Sequence, residues 1–270
     1  MSHILVIANE TAASATLLDA VRREAAEGDD RVTVVAPVNE PRQGYVVYDD
    51  TRRASARRRL ETTLEVLHGA GIAAQGFVVD TGPVQAVKDA LAQLEPRVDE
   101  IVVSTHAAGQ SGWLRRDVLG DIERGAGGIP VKHVTAAPGD TAQKNVLVIA
   151  NQTVLSEALL ARIRARAEQG PAGFLIVAPQ SDTEGDDERS ADRRLRLALT
   201  ELRGLGLSAH GQIVHPDPYT AAMHVTHDER VDEIIVSTLP GEKSGWLRRD
   251  LVGRLRKDTG LPVEHVEATP

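Results

Sequence analysis

"ILVIANET" occupies residues 4–11, and "VLVIANQT" occupies 146–153. Each opens with an unbroken apolar run rich in β-branched side chains and closes on small polar residues. Such a run suits a strand covered on both faces, as in the middle of a parallel sheet. The recurrence extends along the chain. "VVAP" (34–37) returns as "IVAP" (176–179), "VDEIVVST" (98–105) as "VDEIIVST" (231–238), and "IPVKHV" (129–134) as "LPVEHV" (261–266). The order is the same in both halves, so the chain reads as a tandem duplication. Copy 1 is read over 1–137 and copy 2 over 144–270. "TAAPGDTAQKN" (135–145) joins them, with the Pro, Gly and small polar residues of a linker.

Between "ILVIA" and "VTVVA", Leu17, Leu18, Val21 and Ala25 fall at helical spacing, and Gly28 follows as a stop. Copy 2 repeats this with Leu159, Leu160, Ile163, Ala167 and Gly170. Thr11 and Thr153 stand where a helix N-cap belongs. A second helix carries Leu60, Leu64 and Leu67, mirrored by Leu195, Leu199 and Leu202. "GFVVD" and "GQIVH" read as third strands leading into third helices. "EIVVST" or "EIIVST" follows, then a loop, a helix opened by "SGWLRRD" (111–117 and 244–250), and a last strand in "PVKHV" or "PVEHV". Strands alternating with helices predict an α/β fold of two tandem, doubly wound, five-stranded parallel sheets. Copy 1 is longer by seven residues between equivalent points, 23 from Pro37 to Leu60 against 16 from Pro179 to Leu195. The surplus is placed around "RQGYVVYDD" (42–50), where copy 2 has the acidic loop "SDTEGDDE" (181–188). It is expected as a surface loop whose Tyr45 and Tyr48 either dock a partner or fold back.

The bulk numbers bound the function. At 270 residues two domains are the natural prior. The net charge of −8 disfavours unselective nucleic-acid binding, which wants a basic field. No apolar run approaches the roughly 20 residues a bilayer span needs. With no Cys there is no disulfide, no thiolate catalysis and no Cys-held zinc. "MSHILVIANE" has neither a basic stretch nor a small-residue cleavage site, so the cytoplasm is the expected compartment.

In open parallel sheets, ligands sit at the carboxyl ends of strands, where the strand order reverses. Asn9, Thr11, Thr105 and Ser111 would line such a crevice in copy 1, and Asn151, Thr153, Thr238 and Ser244 in copy 2. Ser111 and Ser244 read as N-caps, each followed by a glycine, Gly112 or Gly245. The free N–H groups of a helix start attract anions, and Arg115, Arg116, Arg248 and Arg249 add cations. The functional reading is a seat for a phosphate or carboxylate. The plainer reading is a capped helix with Trp113 and Trp246 packed and the arginines solvated. Both stay open. His210, His215, His224 and His227 cluster in copy 2 only, without a Cys, and are read as surface histidines with no metal expected. The run Arg52, Arg53, Arg57, Arg58 and Arg59 is read as a solvated helix face. No Ser–His–Asp set recurs in both copies, since His106 becomes Leu239, and no catalysis is expected.

These residues resemble the universal stress protein family over nearly the whole chain. Its opening strand ends in Asp-Gly-Ser, which looks like Asn9-Glu10-Thr11 and Asn151-Gln152-Thr153; its turn before helix 3 resembles "TGPVQAV" (81–87) and "PDPYTAA" (216–222). The resemblance implies strand order 3-2-1-4-5 and pairing of two such domains, here within one chain or as a homodimer. ATP-binding members carry Gly-x-x-Gly-x9-Gly-Ser/Thr after strand 4. Those glycines align with Ser104, Ala107 and Asp117, and with Ser237, Pro240 and Asp250, so all three are lost in both copies. The family's adenine-side Asp aligns with Asn9 and Asn151. The expectation is therefore a non-catalytic, stress-linked binding module for a small anionic ligand or partner, with no cofactor and without tight ATP binding. A scaffold pairing through its copies and an adenine-nucleotide-binding stress protein are the alternatives.

Overall fold

The computed structural model describes residues 2–8, 10–25, 30–38, 46–47, 49–106, 117–137, 140, 143–179, 186–214, 217–228, 230–240 and 250–268. The chain divides into two compact units, 1–40 with 53–142 and 41–52 with 143–270. In chain order the elements are β1 (His3–Ile7), α1 (Ala15–Glu24), β2 (Arg31–Pro37), β3 (Val46–Val47), α2 (Asp49–Gly69), β4 (Ala73–Val79), α3 (Pro83–Gln93), β5 (Glu100–Thr105), α4 (Val118–Gly125) and β6 (Val131–Thr135). The second series is β7 (Lys144–Ile149), α5 (Glu157–Glu168), β8 (Ala172–Pro179), α6 (Asp186–Gly204), β9 (Ser208–Val214), α7 (Pro218–Asp228), β10 (Glu233–Thr238), α8 (Leu251–Thr259) and β11 (Val263–Glu267).

The first sheet runs β4-β2-β1-β5-β6, parallel throughout, which is the order 3-2-1-4-5. The second repeats it as β11-β10-β7-β8-β9 and adds β3 as a sixth strand, antiparallel to β9. Both five-stranded parallel sheets are as expected. One expectation is corrected: the copy 1 insertion is not wholly a loop, because Val46 and Val47 pair with Ile213 and Gln212 and segment 41–52 counts with the second unit. Backbone groups at a sheet edge gain partners this way. Tyr45 and Tyr48 lie outside the described residues. The acidic run of copy 2 enters α6 at Asp186.

All five residues of β1 are buried. On one face Ile4 and Val6 meet Leu17, Val21 and Leu60 of α1 and α2. On the other, Leu5 and Ile7 meet Val87 of α3 and Ile122 of α4. Each such side chain contributes about 1.5–3 kcal/mol on burial. The second unit has the same two layers, with Val146 and Val148 facing Leu159 and Leu195, and Leu147 and Ile149 facing Ala221 and Leu255.

Two helix starts differ from expectation. The N-caps are Ser14 and Ser156, not Thr11 and Thr153, and their hydroxyls accept from the N–H groups of Leu17 and Leu159. The chain makes a turn first, so Thr11 and Thr153 supply carbonyls to the N–H groups of Ser14 and Ser156 at 3.0 and 2.9 Å. α1 ends at Glu24, and Gly28 lies outside the described residues. α4 and α8 begin just after the heptad, whose last residues, Asp117 and Asp250, are their N-caps.

The copies differ in how the first helix is tied to the sheet. In the first unit Lys132 of β6 pairs with Glu24 of α1. In the second the signs are exchanged. Arg162 and Arg166 of α5 hold Glu264 of β11 and Glu233 of β10, at 2.5 and 2.6 Å. Glu100 stands where Glu233 does but has a carboxylate for a neighbour. Burial, and then the charge of Glu24, raise its pKa above 4.5, against the pull of Lys132.

The third strands carry a repeated glycine. A Cβ on Gly76 would meet Leu60 at 2.6 Å and the Val34 carbonyl at 2.9 Å; one on Gly211 would meet Leu195 at 2.9 Å. Helix 2 therefore approaches the sheet closely in both units.

Gly76→Ala should lower stability by about 1–3 kcal/mol, the usual range for overpacking a filled site. Gly69→Ala, with open space around the position, should be neutral or stabilise by up to about 1 kcal/mol. Urea unfolding of both variants checks the contrast. Because the pKa of Glu100 is raised in the folded chain, its contribution is intact below pH 4.5 and is lost as pH rises through the raised value. Glu100→Gln should therefore raise Tm at pH 7 and leave it nearly unchanged at pH 4; an equal shift at both pH values would contradict this account.

Candidate functional site

The strand order reverses between β1 and β5, which pair with Ile7 opposite Val103, and between β7 and β10, with Ile149 opposite Val236. The carboxyl ends of these paired strands lie side by side in each sheet. Thr11, Thr105, Thr153 and Thr238 are brought there, and all four are buried. Asn151 stands beside them, half-buried. Asn9, Ser111, Gly112, Arg115, Arg116, Ser244, Gly245, Arg248 and Arg249 lie outside the described residues, as do Trp113 and Trp246.

The described polar groups are turned on their own chain. The Asn151 amide donates to the Pro179 carbonyl at 2.7 Å and accepts from Arg194 at 2.8 Å, tying the first loop to the end of β8 and to α6. The Thr153 hydroxyl donates to the Ser237 carbonyl at 3.1 Å. In the first unit Glu10 and His106 face each other across the switch point, Oε2 to Nε2 at 3.2 Å, with side chains 14% and 8% exposed. Leu239 replaces His106 in the second unit.

Thr105 and Thr238 each join the Nε2 of a histidine on the neighbouring strand, His133 and His265, both at 2.8 Å. The Thr105 hydroxyl has one proton, and it goes to the His106 carbonyl at 2.9 Å. His133 must therefore donate from Nε2, which fixes its tautomer when neutral. Burial lowers the pKa of His133 from 6.5, and Glu123 opposes that only in part. The repeated His of "KHV" and "EHV" was the available sequence signal for these pairs.

The helix starts are also occupied. Asp140, in the stretch read as linker, accepts from the Thr16 N–H at 2.9 Å and so sits on the first turn of α1. Burial raises its pKa, but hydrogen bonds from Thr16, Ala137 and Ala15 outweigh that and hold it below 3.8. No periodicity or motif could have announced this long-range cap. Asp117 and Asp250 have left-handed backbone, φ 52° and 48°, and are the two non-glycine residues of positive φ among those described. The Asp250 carboxylate accepts from the Gly253 N–H at 3.2 Å, and the Asp117 carboxylate faces Arg124 at 3.4 Å.

Ser104 and Ser237 are buried, and their hydroxyls have no partner among the described residues. Among the described residues no group of three or more His, Asp or Glu could hold a metal ion. His210 lies on β9 and His224 and His227 on α7, while His215 is outside the described residues. Arg53 pairs with Asp80. No described helix is long and apolar enough to cross a membrane.

No protein-family model and no curated protein matches the chain. Among solved structures, a universal stress protein from Archaeoglobus fulgidus DSM 4304 is similar at 16% identity, over 98% of this chain and 96% of that one, with a TM-score of 0.35. The MurG of Acinetobacter baumannii aligns over 98% of this chain and 86% of its own at 12% identity, TM-score 0.26. These values assign neither family nor activity, and the fold rests on the strand order above.

His133 binds its proton less readily folded than unfolded, so its contribution is present above pH 6.5 and is lost as pH falls below it. His133→Gln should flatten the dependence of Tm on pH between about 6.5 and 5. Thermal melts of wild type and variant across that window check it; parallel curves would count against the effect of burial on His133.

Proposed function

We propose that this chain is a non-catalytic tandem protein of the universal-stress type that acts by binding a protein partner or small anion and does not turn over nucleotide. The observation that supports this is the left-handed aspartate at the start of α4 and of α8. A glycine there leaves the helix N–H groups open to a phosphate. Here a carboxylate takes the position in both copies, and it repels a polyphosphate at close range. Gly120 and Gly253 leave room for it, since a Cβ on either would collide with the Asp117 or Asp250 carboxylate. The internal hydrogen bonds of Asn151, Thr105 and Thr153 favour the same reading, because those side chains brace the loops of their own chain.

The small-anion form of this reading draws on one further observation. Ser104 and Ser237 carry, at equivalent places on β5 and β10, buried hydroxyls without a partner among the described residues, and a bound ligand or water would complete them. Native mass spectrometry of protein from its own cells distinguishes this form by the mass of whatever accompanies it.

Titration calorimetry with Mg-ATP should show no binding in the micromolar range for the wild type. The double variant Asp117→Gly, Asp250→Gly should bind more tightly, because it removes two negative charges at positions where glycine is free to adopt the observed φ. A micromolar Kd for the wild type, or weaker binding by the variant, would refute the proposal.

A further inference from the structure

The outer edges of β4 and β9 are equivalent places in the two copies, and they are treated differently. β9 is covered, for β3 pairs with it at Gln212 and Ile213. In β4 the equivalent residues are Phe77 and Val78, and among the described residues β4 pairs with β2 alone. The burial is inverted with respect to polarity. Gln212, on the covered edge, is 9% exposed, whereas Phe77, on the edge that no described strand covers, is 48% exposed.

The backbone groups open at this edge can be named. N–H and C=O groups point alternately to either side along a strand. The Val79 carbonyl accepts from Val38, on the β2 side, so Phe77 and Gln75 also turn towards β2. Ala74, Gly76 and Val78 then turn outward. His68 takes the Ala74 carbonyl at 2.7 Å, which leaves the Ala74 N–H and both backbone groups of Gly76 and Val78 without a partner among the described residues. Monomeric proteins protect such edges with charges, prolines or short strands. β4 has none of these: it is seven residues long and reads AAQGFVV. The strands at the opposite edges do carry charges, Lys132 in β6 and Glu264 and Glu267 in β11.

We infer that the edge of β4 is a dimer interface, occupied by the β4 of a second copy of this chain in antiparallel register about Phe77. The covered edge of β9 shows the kind of occupant that fits, an antiparallel strand supplied by this same chain. Each chain has one insertion strand and uses it on β9, so two copies are left with one bare β4 each. Joined about a twofold axis, each strand satisfies the other, as an isologous contact requires. With Phe77 opposite Phe77 of the partner, the N–H and C=O groups of Gly76 meet those of Val78 of the partner, and four hydrogen bonds form. The two rings then stand at a position without backbone hydrogen bonds, where side chains lie closest and aromatic pairs are favoured. This surface is separate from the crevice discussed above and does not rest on the proposed function.

The chain has no cysteine, so a single substitution gives a clean cross-link. Opposed residues at such a position have Cα atoms about 4.5 Å apart, within the range of a disulfide. Phe77→Cys should form a covalent dimer on mild oxidation, and Leu197→Cys, equally exposed on α6, should not. Light scattering should give wild type twice its 29.0 kDa mass, and Phe77→Asp the monomer mass, with a melting curve showing that the variant is folded. A wild type that stays monomeric at tens of micromolar overturns the inference. So does a dimer that survives Phe77→Asp or that Phe77→Cys cannot cross-link, because that dimer uses another surface.

Discussion

Much of this structure follows from β1 and β7 having no face that can meet water. Every residue of "HILVI" is buried, and the last four of β7 are as well. A strand of that kind needs helices on both sides, and a parallel sheet with crossover helices supplies them. The right-handedness of those crossovers then leaves few arrangements. Helices that run from β1 towards β4 cover one face, and those that return to β5 and β6 cover the other. The place where the direction changes lies beside the central strand. The chemistry of the switch point is thus a consequence of how the hydrophobic strand is covered.

The two copies show which details this constraint demands and which it leaves free. Gly76 and Gly211 are both kept, because helix 2 lies so close to the third strand that a Cβ would strike a leucine. The ion pairs beneath the first helix are not kept as residues. Glu24 with Lys132 in one unit answers to Arg166 and Glu264 in the other, and what persists is opposite charge across the helix–sheet seam. The exchange is imperfect, since Glu100 keeps the acid that Arg166 satisfies in the second unit and has a raised pKa for it.

At the switch point, polarity is spent on structure. Asn151 joins a loop, a strand end and a helix, and Thr105 and Thr238 each engage a histidine on the adjacent strand. Helix starts that could receive an anion hold aspartates, Asp140 from a distant segment and Asp250 from its own cap. The buried hydroxyls of Ser104 and Ser237, without a partner among the described residues, stand out against that background.

The sequence by itself determined the duplication, the α/β class, the alternation of elements and the core positions, because these depend on local periodicity and on repeats that can be laid side by side. It misplaced the first helix caps by three residues, since Thr11 and Ser14 are both competent caps and only the turn between them decides which one is used. Tertiary structure alone decided what crosses long distances in the chain. Asp140 reaches Thr16, His133 reaches Thr105, and Val46 and Val47 pair with a strand of the other repeat. Such contacts are fixed when the sheets close and bring remote backbone and side-chain groups within hydrogen-bond reach, and no spacing along the chain encodes that proximity.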